Sequence, residues 1–258
     1  CSTTSDDRGI SHVDAENKNG RSALACRAVI DATGDADIAA LAGEKTETLD
    51  SNVLSGWFYY IDDAGLNIST LSRRYSPSAA RDGAEGPFFR GDDARHLTDQ
   101  VLGSRRMIRE KLAELRAQKP DADIQPVNIP TIPCVRMTRR FVGELSLAES
   151  HMHQWFDDTV GLTGDWRRKG PVFAIPWRAL RAVKTHNLAV AGRCISADTS
   201  IWDATRAIPA CALTGTITGT AAALAAASNC SLHTLPVADL QSRLAQQGTL
   251  LDRYLLDP

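Results

Sequence analysis

From Ala207 to Ala227 the chain runs without a single charged residue, and alanine, glycine, threonine and leucine make up most of the stretch. Its length and composition predict a helix, with Pro209 in the first turn, where a missing N–H breaks no intrahelical bond. Gly215 and Gly219 lie one turn apart on one face, so something is expected to pack very close to this helix. About 20 apolar residues can span a bilayer, but glycine, proline and threonine recur through the first two-thirds and most of the remainder is alanine. That composition suits burial inside protein and argues against a membrane span.

Immediately upstream stands Asn187-Leu188-Ala189-Val190-Ala191-Gly192-Arg193-Cys194-Ile195-Ser196-Ala197-Asp198. The apolar run Leu188–Ala191 has the length of a buried strand, and Gly192 at its end lets backbone approach a ligand with no Cβ in the way. The arrangement is a strand that delivers a ligand to a helix. A second such unit occurs near the start of the chain. Asn17-Lys18-Asn19-Gly20 is a turn between two short strands, and Arg21–Ile30 leads into a buried strand over residues 28–31, followed by Ala32-Thr33-Gly34-Asp35-Ala36-Asp37.

These two segments resemble the cofactor-binding segments of FAD-dependent oxidoreductases with the glutathione-reductase type of fold. The Ala-Thr-Gly turn is similar to the one those proteins place beside the nucleotide part of FAD, and the Gly192 segment to their C-terminal cofactor motif. A third segment agrees. Arg136-Met137-Thr138-Arg139-Arg140-Phe141-Val142-Gly143, with Phe156-Asp157-Asp158 and Phe173-Ala174-Ile175-Pro176-Trp177-Arg178, resembles the return of a broad subfamily from its substrate region, although Met137 stands where a glutamate often follows the first arginine. The resemblance covers roughly residues 20–250.

The resemblance implies an α/β fold: a partial FAD-binding dinucleotide domain, split in sequence over residues 1–45 and 180–258, with an inserted α+β substrate domain over residues 46–179. It implies FAD as cofactor and hydride transfer on a small molecule at the domain interface. Thr33, Gly34, Asp35, Gly192, Arg193, Ser196, Arg206 and Gly215 are then the candidates for holding FAD. Arg193 and Ser196 would donate to phosphate or ribityl oxygens, and Arg206 would face flavin or substrate. The helix starting near Pro209 would point about half a positive charge at the flavin. Asp35 reads equally well as a plain helix N-cap.

One departure limits the reading. The family's Gly-x-Gly-x-x-Gly loop cradles pyrophosphate on backbone N–H groups, and no Gly-x-Gly occurs anywhere in the chain. The expectation is a chain whose FAD site is completed by a missing N-terminal segment or by a partner chain. The rival expectation, from a different class, is a cofactor-free folded module with a structural or interaction role.

Arg136, Arg139 and Arg140, three guanidinium groups within five residues, favour an anionic substrate and bring a dicarboxylate reductase or dehydrogenase relative into view. The bland alternative is a structural cluster paired with Glu144, Asp157 and Asp158. His151-x-His153 has too little acidic or cysteine support for a metal site and reads as a solvent-facing pair. Cys194 reads as a small buried hydrophobe. No catalytic base is identifiable.

Composition sets the outer limits. With 258 residues, 43% hydrophobic and 23% charged, the chain is an ordinary globular protein. Its 29 basic and 31 acidic residues give a net charge of -2, so no overall field favours nucleic acid or anionic membrane. Six dispersed cysteines form no C-x-x-C pair, which fits a reducing cytoplasm. Between the cofactor segments, Gly56–Ile61 predicts a strand and residues about 64–100 a loop with short helices. Val101–Lys119 predicts an amphipathic helix through Val101, Ile108, Leu112 and Leu115, and Pro126, Pro130 and Pro133 an extended segment. Val237–Gln247 predicts a last helix closed by Gly248.

Overall fold

The structure is a computed structural model, and it describes residues 2–6, 9–50, 52–54, 57–71 and 87–256. In chain order its elements are β1 (Ser2–Asp6), β2 (Gly9–Asn17), β3 (Gly20–Ala25), β4 (Val29–Asp31), α1 (Asp37–Leu41), β5 (Thr46–Thr48), β6 (Trp57–Asp62), β7 (Gly65–Thr70), α2 (Ala94–Gln118), β8 (Gln125–Pro126) and β9 (Arg139–Phe141). They continue with β10 (Thr159–Gly164), β11 (Val172–Pro176), β12 (Leu188–Val190), α3 (Trp202–Thr205), α4 (Ile208–Ala227) and α5 (Val237–Gln246). Two compact units result, residues 1–47 with 139–258, and residues 48–138.

In the first unit, β4 and β12 form a parallel pair in the register Val29–Leu188, Ile30–Ala189 and Asp31–Val190. These are the two strands that the sequence places beside a cofactor. Parallel neighbours need a crossover, and here it is most of the chain. β1–β2–β3 form an antiparallel meander, whose second hairpin turns at Lys18-Asn19 between the paired Asn17 and Gly20. Asn19 N–H donates to Asn17 Oδ1 at 2.8 Å, and Gly20 adopts φ +103°.

The uncharged segment forms α4, with proline in its first turn. Ala210, Thr214, Ile217, Thr218, Ala221 and Ala225 are buried, and Ile217, Ala221 and Ala225 join the core formed by β10, β11 and α5. The buried Thr214 and Thr218 hydroxyls bond back to Ala210 O and Thr214 O at 3.0 and 2.9 Å, so the polar atoms are satisfied within the helix. The close partner expected at Gly215 and Gly219 is not among the described residues, because a Cβ built on either meets nothing within 4 Å.

The strands β10 and β11 pair antiparallel and pack in the same core as α4. Residues 139–179 therefore group with the first unit by compactness, whereas the sequence suggests a boundary near 180. α5 ends one residue before the expected Gln247, and Gly248 beyond it takes φ +86°.

The second unit holds the antiparallel sheet β7–β6–β8 and a core of Phe58, Tyr60, Ile108, Leu112 and Ile124. α2 begins two turns earlier than the apolar periodicity predicts, because Asp93 caps it by accepting from Arg95 and His96 N–H at 2.9 and 3.0 Å. β7 occupies part of the stretch expected as loop. Its leucine and isoleucine face outward, and its alternation holds only these two apolar residues, too few for a clear strand signal. Residues 72–86 of that stretch and Gly56 of the predicted strand lie outside the described residues.

Asn187 ties the meander to the parallel pair. Its buried amide accepts from Ile10 N–H at 2.9 Å and donates to Ile10 O at 2.8 Å and to Arg27 O at 3.2 Å. Asn187→Ala takes this partner from Ile10 N–H and Arg27 O and leaves Ile10 O only the Cys26 thiol at 3.5 Å, and the expected loss is about 2–5 kcal/mol, measured by urea denaturation. A loss below about 0.5 kcal/mol would mean that water replaces the amide.

Candidate functional site

Both strands of the parallel pair end in a turn that needs a positive φ, Gly34 at +84° after β4 and Gly192 at +80° after β12. Side chains bear this conformation poorly. Because the strands are parallel and in register, the turns emerge at the same end of the sheet, where α/β proteins bind ligands.

The first turn is organised by Asp31, the last residue of β4, which is fully buried. Its carboxylate accepts from Thr33 N–H and Thr33 Oγ1 at 3.1 and 2.7 Å, and from Ala39 N–H inside α1 at 2.8 Å. Thr33 Oγ1 in turn accepts from Asp37 N–H at 3.0 Å. The turn and the first N–H groups of α1 are thus satisfied from within, without Asp35. The N-cap position is Ala36 in the left-handed region at φ 50°, with no side-chain cap, so the capping reading of Asp35 gives way. The carboxylate of Asp35 instead holds Arg193 Nη2, 2.9 Å from both oxygens.

Arg193 joins the two turns. A Cβ on Gly34 would lie 2.7 Å from Arg193 Cζ, so any other residue there displaces the end of that arginine and also strains φ. Arg193 Nε is buried with no hydrogen-bond partner among the described residues. Beside it, Gly192 N–H donates to Thr214 Oγ1 at 3.0 Å, while a Cβ at Gly192 would meet open space. Trp202 Nε1 donates to Arg193 O at 2.5 Å.

Arg139 reaches the same turn, donating to Asp35 O at 2.8 Å and pairing with Asp37. Burial pushes the Asp37 carboxyl above its ordinary range, against the pull of Arg139. Arg206 pairs with Asp203, one turn back across α3. Its carbonyl accepts from Cys211 Sγ at 3.3 Å. Burial raises the Cys211 thiol, and the charges of Arg193 and Arg206 both oppose the rise. The first-turn N–H groups of α4 have no side-chain cap.

Other candidates are used differently. Ser196 is fully buried, and its hydroxyl accepts from Gly143 N–H at 2.9 Å and bonds Ser146 Oγ at 2.8 Å; it faces the interior. Gly215 sits on the exposed side of α4. The arginine cluster is dispersed. Arg136 lies in the second unit, 5.1 Å over the Trp57 ring. Arg140 is buried and pairs with Glu47, and burial lowers its affinity for the proton while Glu47 opposes this. The expected acidic partners serve other arginines, Glu144 pairing with Arg181 and Asp158 with Arg178.

His151 and His153 are partly buried, not solvent-facing. His151 lies in a 3₁₀ turn and accepts from Ala148 N–H at 3.2 Å, and His153 Nδ1 lies 2.5 Å from Leu256 O. No cluster able to hold a metal occurs among the described residues. Sequence reasoning missed Asp31, whose signal is an acidic residue closing a buried apolar strand just before the glycine turn.

A family model described as FAD dependent oxidoreductase matches residues 1–53 and 63–244, most of the chain. No curated protein and no solved structure matches it.

Cys194, beside the Gly192 turn, is fully buried, and burial pushes its thiol up to about 12. In native protein at pH 8, iodoacetamide is expected to alkylate the exposed Cys134 and to spare Cys194 until the chain is unfolded. Peptide mass mapping reads the difference. Native Cys194 reacting as fast as Cys134 would show that this turn opens readily.

Proposed function

Because the chain belongs to the FAD dependent oxidoreductase family, whose cofactor is FAD, we propose that the two turns at the ends of β4 and β12 take part of that cofactor for hydride transfer on a small molecule. The observation that carries this reading is the meeting of two positive-φ glycine turns across one guanidinium. The residues present fit such a group. Arg193 keeps a buried Nε without a partner among the described residues, and Gly192 leaves its ligand side open. When bound, FAD supplies the two-electron chemistry.

The chain's own residues bind and tune. Arg193, oriented by Asp35, offers its fork to phosphate or ribityl oxygens. The Thr33–Gly34 backbone admits a nucleotide edge because Asp31 consumes the Thr33 N–H and hydroxyl and keeps the turn rigid. The uncapped start of α4 stabilises a negative group by about 0.3–2 kcal/mol, up to about one and a half pK units at about 1.4 kcal/mol per unit.

In this reading residues 1–45 and 180–258 carry the cofactor side and residues 46–179 the substrate side, with β10 and β11 packed against the former. The pyrophosphate cradle comes from a further segment or a partner chain. Two observations support this. Among the described residues no strand pairs with the outer edge of β4, although parallel sheets are normally flanked and larger, and the uncharged α4 leaves Gly215 and Gly219 uncovered. The dicarboxylate reading has weaker support, since Arg139 and Arg140 already hold Asp37 and Glu47.

The test is the flavin content of the purified chain by visible absorption before and after denaturation. FAD retained, or taken up when added, supports the site directly. Uptake only when the chain is extended by a glycine-rich nucleotide unit supports the shared site. No uptake by either form leaves the cofactor-free module and removes the enzyme reading. In a form that binds FAD, Gly34→Ala is expected to weaken binding about tenfold or more, equivalent to about 1.4 kcal/mol, because the new Cβ drives Arg193 off Asp35. Unchanged affinity would place the cofactor away from this turn.

A further inference from the structure

At the Gly192 turn the backbone passes its hydrogen bonds from one neighbour to another. Ala191 N–H still donates to Asp31 O at 2.9 Å, and one residue later Gly192 N–H leaves the sheet and donates to Thr214 Oγ1 of α4 at 3.0 Å. Thr214 is fully buried. Its hydroxyl has one proton, which goes to Ala210 O or Cys211 O at 3.0 and 3.1 Å, so a lone pair is what faces Gly192. The same turn is held a second time where Trp202 Nε1 donates to Arg193 O. Thr218, one turn further along α4, is equally buried, but its hydroxyl bonds within the helix, to Thr214 O and Gly215 O at 2.9 and 3.3 Å.

We propose that Thr214 is a positioning residue of the FAD site: its hydroxyl locks the Arg193-bearing turn onto α4, so that Arg193 and the uncapped start of that helix keep one spacing toward a bound cofactor. The inference rests on the proposed function, since only a ligand at the turn gives that spacing a use. Gly192 needs the restraint. At φ +80° and without a side chain, it has only backbone groups by which the fold can hold it. Directing its N–H inward also decides what the turn offers a ligand, which is room and the Arg193 side chain, not the Gly192 N–H. A methyl group in place of the hydroxyl would leave that N–H facing carbon, with the desolvation cost of an unpaired donor.

Two readouts test this: deuterium exchange of the Gly192 amide in the purified chain, followed by NMR after selective glycine labelling, and FAD affinity by fluorescence titration in the form that binds it. Thr214→Val is expected to speed Gly192 exchange and to weaken FAD binding, each by about tenfold, the fold-change of one lost hydrogen bond. Thr214→Ser, which keeps the hydroxyl, is expected to bring both back to within about threefold of the unsubstituted chain. Thr218→Val removes the same group one turn away and is expected to lower the urea midpoint without moving either readout, which separates positioning from a general loss of stability. Circular dichroism checks folding, and if the valine methyl crowds the Gly192 N–H enough to unfold the chain, Thr214→Ala takes its place with the same expectations. Unchanged Gly192 exchange, or faster exchange with unchanged FAD affinity, overturns the positioning role. An unsubstituted chain that takes up no FAD in any form overturns the function reading, and this inference falls with it.

Discussion

Everything at the candidate site depends on three residues of β4 lying parallel to three residues of β12. The pairing joins segments from opposite ends of the chain, and register alone decides that Gly34 and Gly192 leave the sheet together. A slip by one residue would turn Asp31 out of its pocket and each strand's apolar side chains to the wrong face. Such a short pair has little stability of its own. It is held by burial on both sides, with Val29, Leu188 and Val190 in one core together with Ile10, Phe141 and Cys194.

Polar side chains fix that register where apolar packing cannot. Three buried polar residues, Asp31, Glu44 and Asn187, all aim at backbone. Asp31 closes the first turn on α1. Glu44 accepts from the N–H groups of Val183, Lys184 and Thr185 at 3.1, 3.0 and 2.7 Å, holding the segment that enters β12 against the end of α1. Asn187 does the same with the meander. Hydrophobic contact is roughly indifferent to direction, whereas a carboxylate facing three N–H groups is satisfied in one arrangement only. The N- and C-terminal parts of the first unit are thus aligned by groups whose misplacement would leave buried polar atoms unpaired.

What could be read in the sequence follows the range of the interactions. The two glycine turns, α4 and the start and end of α5 are local, set by glycine φ, by proline in a first turn and by an uncharged run, and they stand where residues 28–34, 188–192, 207–227 and 237–247 place them. β7 is faint because its alternation holds only two apolar residues, and β10 because Gly161 and Gly164 interrupt it; Gly161 gives room to Leu213 and Ile217 of α4. Asp31 and Glu44 look in sequence like ordinary acidic residues. Only their distant backbone partners reveal them. Thr33, Gly34, Asp35, Gly192 and Arg193 converge in space, while Ser196 turns inward and Gly215 lies on an outer helix face.

The arginine cluster shows why charge density along a chain is a poor guide to a site. Residues 136, 139 and 140 straddle the boundary between the two compact units. A guanidinium held against a carboxylate presents little net charge to a third group, and releasing it costs the pair's interaction. Arg140 lies buried against Glu47, so recruiting it for a substrate would strand one of them. Arg193 differs in one respect that bears on function. Its pair with Asp35 uses a single nitrogen, leaving Nε oriented and unmatched next to two turns without side chains in the way. Arg178 and Arg181 also keep a buried Nε unmatched among the described residues, so what separates Arg193 from those structural arginines is its place between the Gly34 and Gly192 turns.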